Sequence, residues 1–169
     1  YPLEPEGYGP GDARAVHLVI LGFGHMGESL AVQALKIGHF NNPKRLRITV
    51  MDQHARKRER IFHARYPQAH QVCGVEFEEC ELDGAMVRRH LEAGGEAETL
   101  SLAVCLDGDS KSLALGMELA ELLGTRATTV RVRMAQHLPM QALTVQSGQA
   151  ALCAGRVVLF GMTGQTCTE

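Results

Sequence analysis

The sequence predicts an α/β fold, a doubly wound parallel sheet of about six strands with helices on both faces. Three observations predict it. Short apolar, β-branched runs alternate with segments of helical spacing, the rhythm of right-handed βαβ crossovers. The first run ends in a glycine-rich turn, Gly22-Phe23-Gly24-His25-Met26-Gly27, and the second ends in an acid, Asp52. The 169 residues, 45% hydrophobic and 21% charged, have the composition of one globular domain with its own core, and a second substrate domain does not fit in that length.

Residues 1–14 hold three Pro and three Gly with almost no apolar periodicity and read as a flexible linker. Val16-His17-Leu18-Val19-Ile20-Leu21 is a buried central strand. The helix after it starts near Gly24, sets Met26, Leu30, Ala34 and Ile37 about one turn apart, and has Gly38 as its C-cap. Leu46 to Met51 forms a second strand, and the charged segment Ala55 to Tyr66 forms a surface helix with Ile61, Phe62 and Tyr66 on its apolar stripe. Its Arg56-Lys57-Arg58 run reads as a solvated face, with a phosphate clamp as the alternative. Val72 to Phe77 is a weaker strand, followed by a helix from about Asp83 to Ala93. Leu100 to Leu106 is a strong buried strand ending at Asp107-Gly108-Asp109. Ser110 to Leu123 is helical through Leu113, Met117, Ala120 and Leu123, with Gly124 closing it. Thr128 to Val132 is a strand, Leu138 to Val145 a short helix, and Arg156 to Phe160 a last strand before a polar tail. The domain is thus expected over 15–150, with 151–169 as last strand, tail and junction to a missing domain.

Bulk properties narrow the function. A net charge of -2 and a pI near 6.5 argue against a broadly electropositive nucleic-acid surface. Cys73, Cys80, Cys105, Cys153 and Cys167 form no C-x-x-C pair, which predicts reduced thiols in a cytosolic setting and no metal site. No run approaches the ~18 apolar residues of a membrane span, and the acidic, Pro-rich start is unlike a signal peptide. The chain begins without Met, so a fragment of something longer is expected.

Each glycine of the G-x-G-x-x-G turn has a mechanical role. Gly22 permits the sharp exit from the strand, Gly24 lets backbone amides approach a pyrophosphate, and Gly27 lets the helix pack closely on the sheet. The phosphate then sits on helix N-terminal amides at the positive end of the macrodipole. Asp52 follows at somewhat more than the usual interval of ~20 residues, with the basic His39 to Arg45 connection as the extra length. A carboxylate there accepts ribose hydroxyl protons and repels a 2′-phosphate, favouring NAD(H), AMP, ADP or ATP over NADP. The rival reading makes Asp52 a helix N-cap, and Asp107 and Asp109 invite the same contest.

On Val19 to Gly27, Val50-Met51-Asp52, Ala103 to Asp109, and Val130-Arg131-Val132 followed by His137, the chain resembles the TrkA N-terminal or RCK (regulator of potassium conductance) nucleotide-binding domain, a Rossmann fold, over roughly residues 16–145. The resemblance implies a cytoplasmic sensor of NAD or adenine nucleotides that controls potassium channels or transporters, acts as a dimer or ring, and turns over no substrate. Carried over by position, it assigns the phosphates to Gly22, Gly24 and Gly27 with Phe23, His25 and Met26. It assigns the ribose to Asp52 and Gln53, and the far side of the ligand to Leu106, Asp107 and Arg131. Cys80 would lie by the adenine, although Glu79-Cys80-Glu81 stands where the family commonly has a Gly-Asp-Ala type turn. Val157 to Met162 resembles the join between such a domain and a ryanodine-receptor-like (RyR) domain.

Two other functions are weighed. An NAD-dependent oxidoreductase fragment needs a proton-transfer group facing the nicotinamide; His25, His63, His90 and His137 are the obvious candidates, each with a duller explanation on a turn or charged helix face. A ligand-free dimerisation scaffold is the other, and the intact glycine turn with its acid speaks against it. No convincing catalytic constellation emerges, so a non-enzymatic module is expected.

Overall fold

The computed structural model describes residues 15–37, 46–93, 98–123, 127–135 and 156–161. The expected linker 1–14, the helix expected over Leu138–Val145, the caps at Gly38 and Gly124, and Cys153 and Cys167 lie outside them.

The apolar run Val16–Leu21 is buried along its whole length, as a strand with neighbours on both edges and helices on both faces must be. It forms β1 (Ala15–Leu21), followed by α1 (His25–Ile37), β2 (Arg47–Asp52), α2 (Ala55–Arg65), α3 (Ala69–Val72), β3 (Gly74–Glu79), α4 (Gly84–Ala93), β4 (Glu98–Val104), α5 (Asp109–Leu123), β5 (Ala127–Arg133) and β6 (Val157–Phe160). The described strands form one six-stranded sheet in the order β3-β2-β1-β4-β5-β6, every pairing parallel. The chain is therefore a Rossmann-like, doubly wound α/β domain, with strand order reversing between β1 and β4.

Strand alternation divides the core in two. Val19, Leu21, Leu102, Val104, Val130 and Val132 face one way, against Leu115, Leu119 and Leu123 of α5 and Val87 and Leu91 of α4. Val16, Leu18, Ile20, Ile48, Val50 and Ala103 face the other, against Ala31, Ala34 and Leu35 of α1 and Phe62 of α2. Each Val, Leu or Ile among them contributes about 1.5–3 kcal/mol on burial. The edge strand β3 is half exposed and carries Glu76, Glu78 and Glu79, charges that discourage pairing with another sheet.

Register sets the future site. Leu21 lies level with Met51 on one side and Val104 on the other. The backbone ladder then continues one step: the Gly22 N–H donates to the Met51 carbonyl at 2.9 Å, and the Cys105 N–H donates to the Leu21 carbonyl at 2.7 Å. Gly22, Asp52 and Cys105 thus emerge side by side at the carboxyl edge of the sheet.

Several local expectations are corrected. In α1 the fully buried positions are Gly27, Ala31, Ala34 and Leu35; Met26 and Leu30 are partly buried and pack against the same core, but Ile37 is 54% exposed. In α5, Ser112, Leu115, Gly116 and Leu119 join Ala120 and Leu123 on the buried face, and Leu113 and Met117 lie at its margin. Val72 ends the short α3, so β3 starts at Gly74. Ile61 of α2 is exposed, leaving Phe62 as its anchor.

Candidate functional site

A crevice of about 600 Å³ opens at the carboxyl edge of the sheet, over the point where the strand order reverses. Ligands of open α/β sheets bind at this location. Gly22 and Gly24 form its floor, Asp52, Gln53, His54 and Arg58 one wall, Cys105, Leu106 and Asp107 the other, and Leu82 with Lys111, Ala114 and Leu115 close the remaining side.

The floor depends on absent side chains. Gly22 has φ +89°, and a Cβ on it would lie 2.9 Å from the Cys105 carbonyl oxygen. A Cβ on Gly27 would collide with the Gly22 carbonyl, so α1 starts hard against the end of β1 only because residue 27 lacks one. The Glu28 N–H donates to the Gly24 carbonyl at 3.0 Å as the helix ladder begins. The amides before it in the first turn have no intrahelical acceptor and are suited to an anion.

Phe23 does something else. Its ring is buried, edge-on to Phe62 (5.6 Å) and Phe77 (5.2 Å), so its side chain pins the turn to α2 and β3 and does not face the crevice. Its N–H donates to Asp52 Oδ2 at 2.7 Å. Asp52 Oδ1 accepts the N–H of His54, also at 2.7 Å, so one carboxylate braces both the glycine turn and the turn after β2. The N-cap of α2 is His54, without a side-chain capping bond, so Asp52 is not that helix's cap. An ionised carboxylate has about four lone-pair sites, and two bonds leave acceptors for hydroxyl or N–H donors in the crevice.

Beyond the floor, the Asp107 carboxylate lies 3.6 Å from where a Gly24 Cβ would be. Asp109 turns away: its Oδ1 accepts the Ala135 N–H at 2.8 Å and ties α5 to the end of β5. Cys105 lines the crevice with a thiol that burial pushes up to about 12, hence a neutral thiol at physiological pH and no nucleophile.

Of the residues singled out from the sequence, the structure brings Gly22, Gly24, Asp52, Gln53, Leu106 and Asp107 to the crevice. Phe23 and Gly27 shape it from behind. Met26 packs against the α1-side core, and His25 is exposed beside a separate hollow of about 320 Å³ with Glu28 and Ser29. Cys80 packs against the α5-side core, its backbone N–H donating to the Asp52 carbonyl at 3.3 Å; burial, then Glu78, Asp52 and Asp83, raise its thiol pKa. Leu82, two residues on, reaches the crevice instead. Arg131 is half-buried below the strand ends, its Nη1 donating to Ser101 Oγ at 2.7 Å, and desolvation lowers its pKa. Arg133 on the same face stands at the end of β5, with Nη1 3.5 Å from the Leu106 carbonyl. Alternation puts residues 131 and 133 on one face, so sequence pattern could not choose between them.

The sequence reading also missed His54, Lys111, Ala114 and Leu115, while Arg58, read as part of a solvated face with a phosphate clamp as the alternative, lines the crevice. Lys111, Ala114 and Leu115 share one face of α5 by their spacing of three and four residues, and only the tertiary fold sets that face on the crevice. Of the histidines considered for proton transfer, His63 packs on Phe62 and Phe77, His90 pairs with Glu78 at 2.5 Å, and His137 lies outside the described residues. Among the described residues no cluster of three His, Cys, Asp or Glu is placed to hold a metal, and no helix is long and apolar enough to cross a membrane.

Compared with protein-family models, curated proteins and solved structures, the chain has no match.

Proposed function

We propose that this domain is a regulatory module that binds an adenine nucleotide, NAD(H) or AMP, ADP or ATP, in the crevice between β1 and β4. The observation that carries the reading is the 2.7 Å bond from the Phe23 N–H to Asp52. It joins the phosphate turn to the ribose acid in one rigid unit. Phosphates rest on the first amides of α1, the ribose hydroxyls donate to the free lone pairs of Asp52, and the base lies among Leu82, Leu106 and Leu115. A volume of about 600 Å³ is in the range of small-molecule sites.

The regulatory part of the proposal rests on the resemblance to TrkA N-terminal and RCK domains. In that reading the domain works at the cytoplasmic side of a potassium channel or transporter, or within a longer chain, and pairs with a second copy. The nucleotide shifts the assembly between two states by no more than its differential affinity for them. A thermal-shift titration with NAD, NADH, AMP, ADP and ATP tests the binding. A ligand at 100 times its dissociation constant adds about 2.7 kcal/mol to folded-state stability. A saturable shift with at least one of them is expected; none with any, from folded protein free of copurified nucleotide, overturns the reading.

A further inference from the structure

Arg58 lines the crevice without a partner among the described residues. Its backbone N–H donates to the His54 carbonyl, one helical turn back, at 3.1 Å. Helical side chains lean toward the N-terminus, so a residue at this position reaches back over the turn that carries Asp52. Arg47, Arg56 and Arg65 each pair with a glutamate, Glu76, Glu79 and Glu28. The Arg58 side chain, partly buried and facing the same crevice as Asp52, makes no hydrogen bond or ion pair with any described residue. Lys111, on the first turn of α5, is a second crevice-lining cation without a partner among them.

The charge of Asp52 argues against a phosphorylated ribose, but both of its oxygens already accept backbone N–H groups, which moderates their repulsion of a neighbouring anion. Arg58 offers five N–H donors in a planar fork suited to phosphate, none of them used by a described residue. We propose that the adenosine end of this crevice admits a nucleotide whose ribose carries a 2′-phosphate, with Arg58 as the group that pairs it. Asp52 then accepts from the 3′-hydroxyl, and the 2′-phosphate lies toward α2. The proposal rests on the reading of the crevice as an adenine-nucleotide site.

The test is calorimetric titration with a matched pair, 5′-AMP and adenosine 2′,5′-bisphosphate, which differ only in the 2′-phosphate. It compares wild type with Arg58→Ala and with Arg60→Ala, the latter an exposed arginine of the same helix outside the crevice. Expected is a bisphosphate bound no more weakly than AMP by wild type. Arg58→Ala should weaken the bisphosphate about tenfold or more relative to AMP, and Arg60→Ala should leave that ratio unmoved. Weaker binding of the bisphosphate than of AMP by wild type, or equal effects of Arg58→Ala and Arg60→Ala on the ratio, overturns the proposal and leaves the nucleotide site standing. Binding of neither ligand overturns both.

Discussion

Gly27 and Asp52 each hold two parts of the molecule together. The Gly27 Cα sits where any Cβ would strike the Gly22 carbonyl and press on Ile20 at 3.3 Å. Gly27→Ala should therefore cost about 1–3 kcal/mol, read as a lowered urea midpoint; an unchanged midpoint would contradict the close approach of α1 to β1. Cys105 carries a pH signature. Its thiol is pushed from 9.0 up to about 12, so its contribution to stability is complete below pH 9 and is lost as pH rises toward 12, because only the unfolded chain gains the thiolate there. Cys105→Ala should flatten the decline in stability above pH 9 by up to about 1.4 kcal/mol per pH unit, measured by denaturant unfolding across pH 8–11. An unchanged slope would mean the thiol meets water. The residue types at the glycine turn were legible in the sequence because each answers a backbone demand. The side chain of Phe23 was not: only tertiary packing reveals that it is buried among Phe62 and Phe77 while its amide serves the site.

At the level of elements, strands read more clearly than helix faces. Apolar, β-branched runs such as Val16–Leu21 admit little else when both faces are buried. In α1 and α5, apolar residues occur on more than one stripe, and the face that packs is chosen by small residues, Gly27 and Ala31 in one and Ser112 and Gly116 in the other. Val72 reads as strand in the sequence but ends α3, because a single helical turn leaves no periodicity to detect. The cap of α4 does not stand out in the sequence, where Asp83 is only the start of a helix. The Met86 N–H donates to Asp83 Oδ1 at 2.7 Å, so Asp83 caps α4, the helix that presents Val87 and Leu91 to the core. Asp83→Ala should cost about 1 kcal/mol in thermal or urea unfolding, and no loss would contradict that role. The stretch after β3 shows the limit: Cys80 and Leu82 are both part-buried, and the choice of which faces the crevice depends on the path between β3 and α4.

Across the whole molecule, strand order decides where function can lie. The sheet sets β2, β1 and β4 side by side, so the acid, the glycine turn and Asp107 come from three distant parts of the sequence to one edge. Alternating strands and helices made the fold class legible; they did not say which helix lies over the crevice, and so the Arg56-Lys57-Arg58 run could not be decided between solvated face and phosphate clamp, and Lys111 was not singled out. The central claim, that Asp52 holds a ribose at this edge, meets a complication in its own geometry, since Asp52 also braces two turns and its replacement perturbs the site. The direct measurement is a double comparison by calorimetry, AMP against 2′,3′-dideoxy-AMP, in wild type and in Asp52→Asn. Removing the hydroxyls should cost wild type about tenfold or more in affinity and cost the variant much less, because the partner of those hydroxyls is already impaired. An equal loss in both proteins, or none in wild type, would contradict the account.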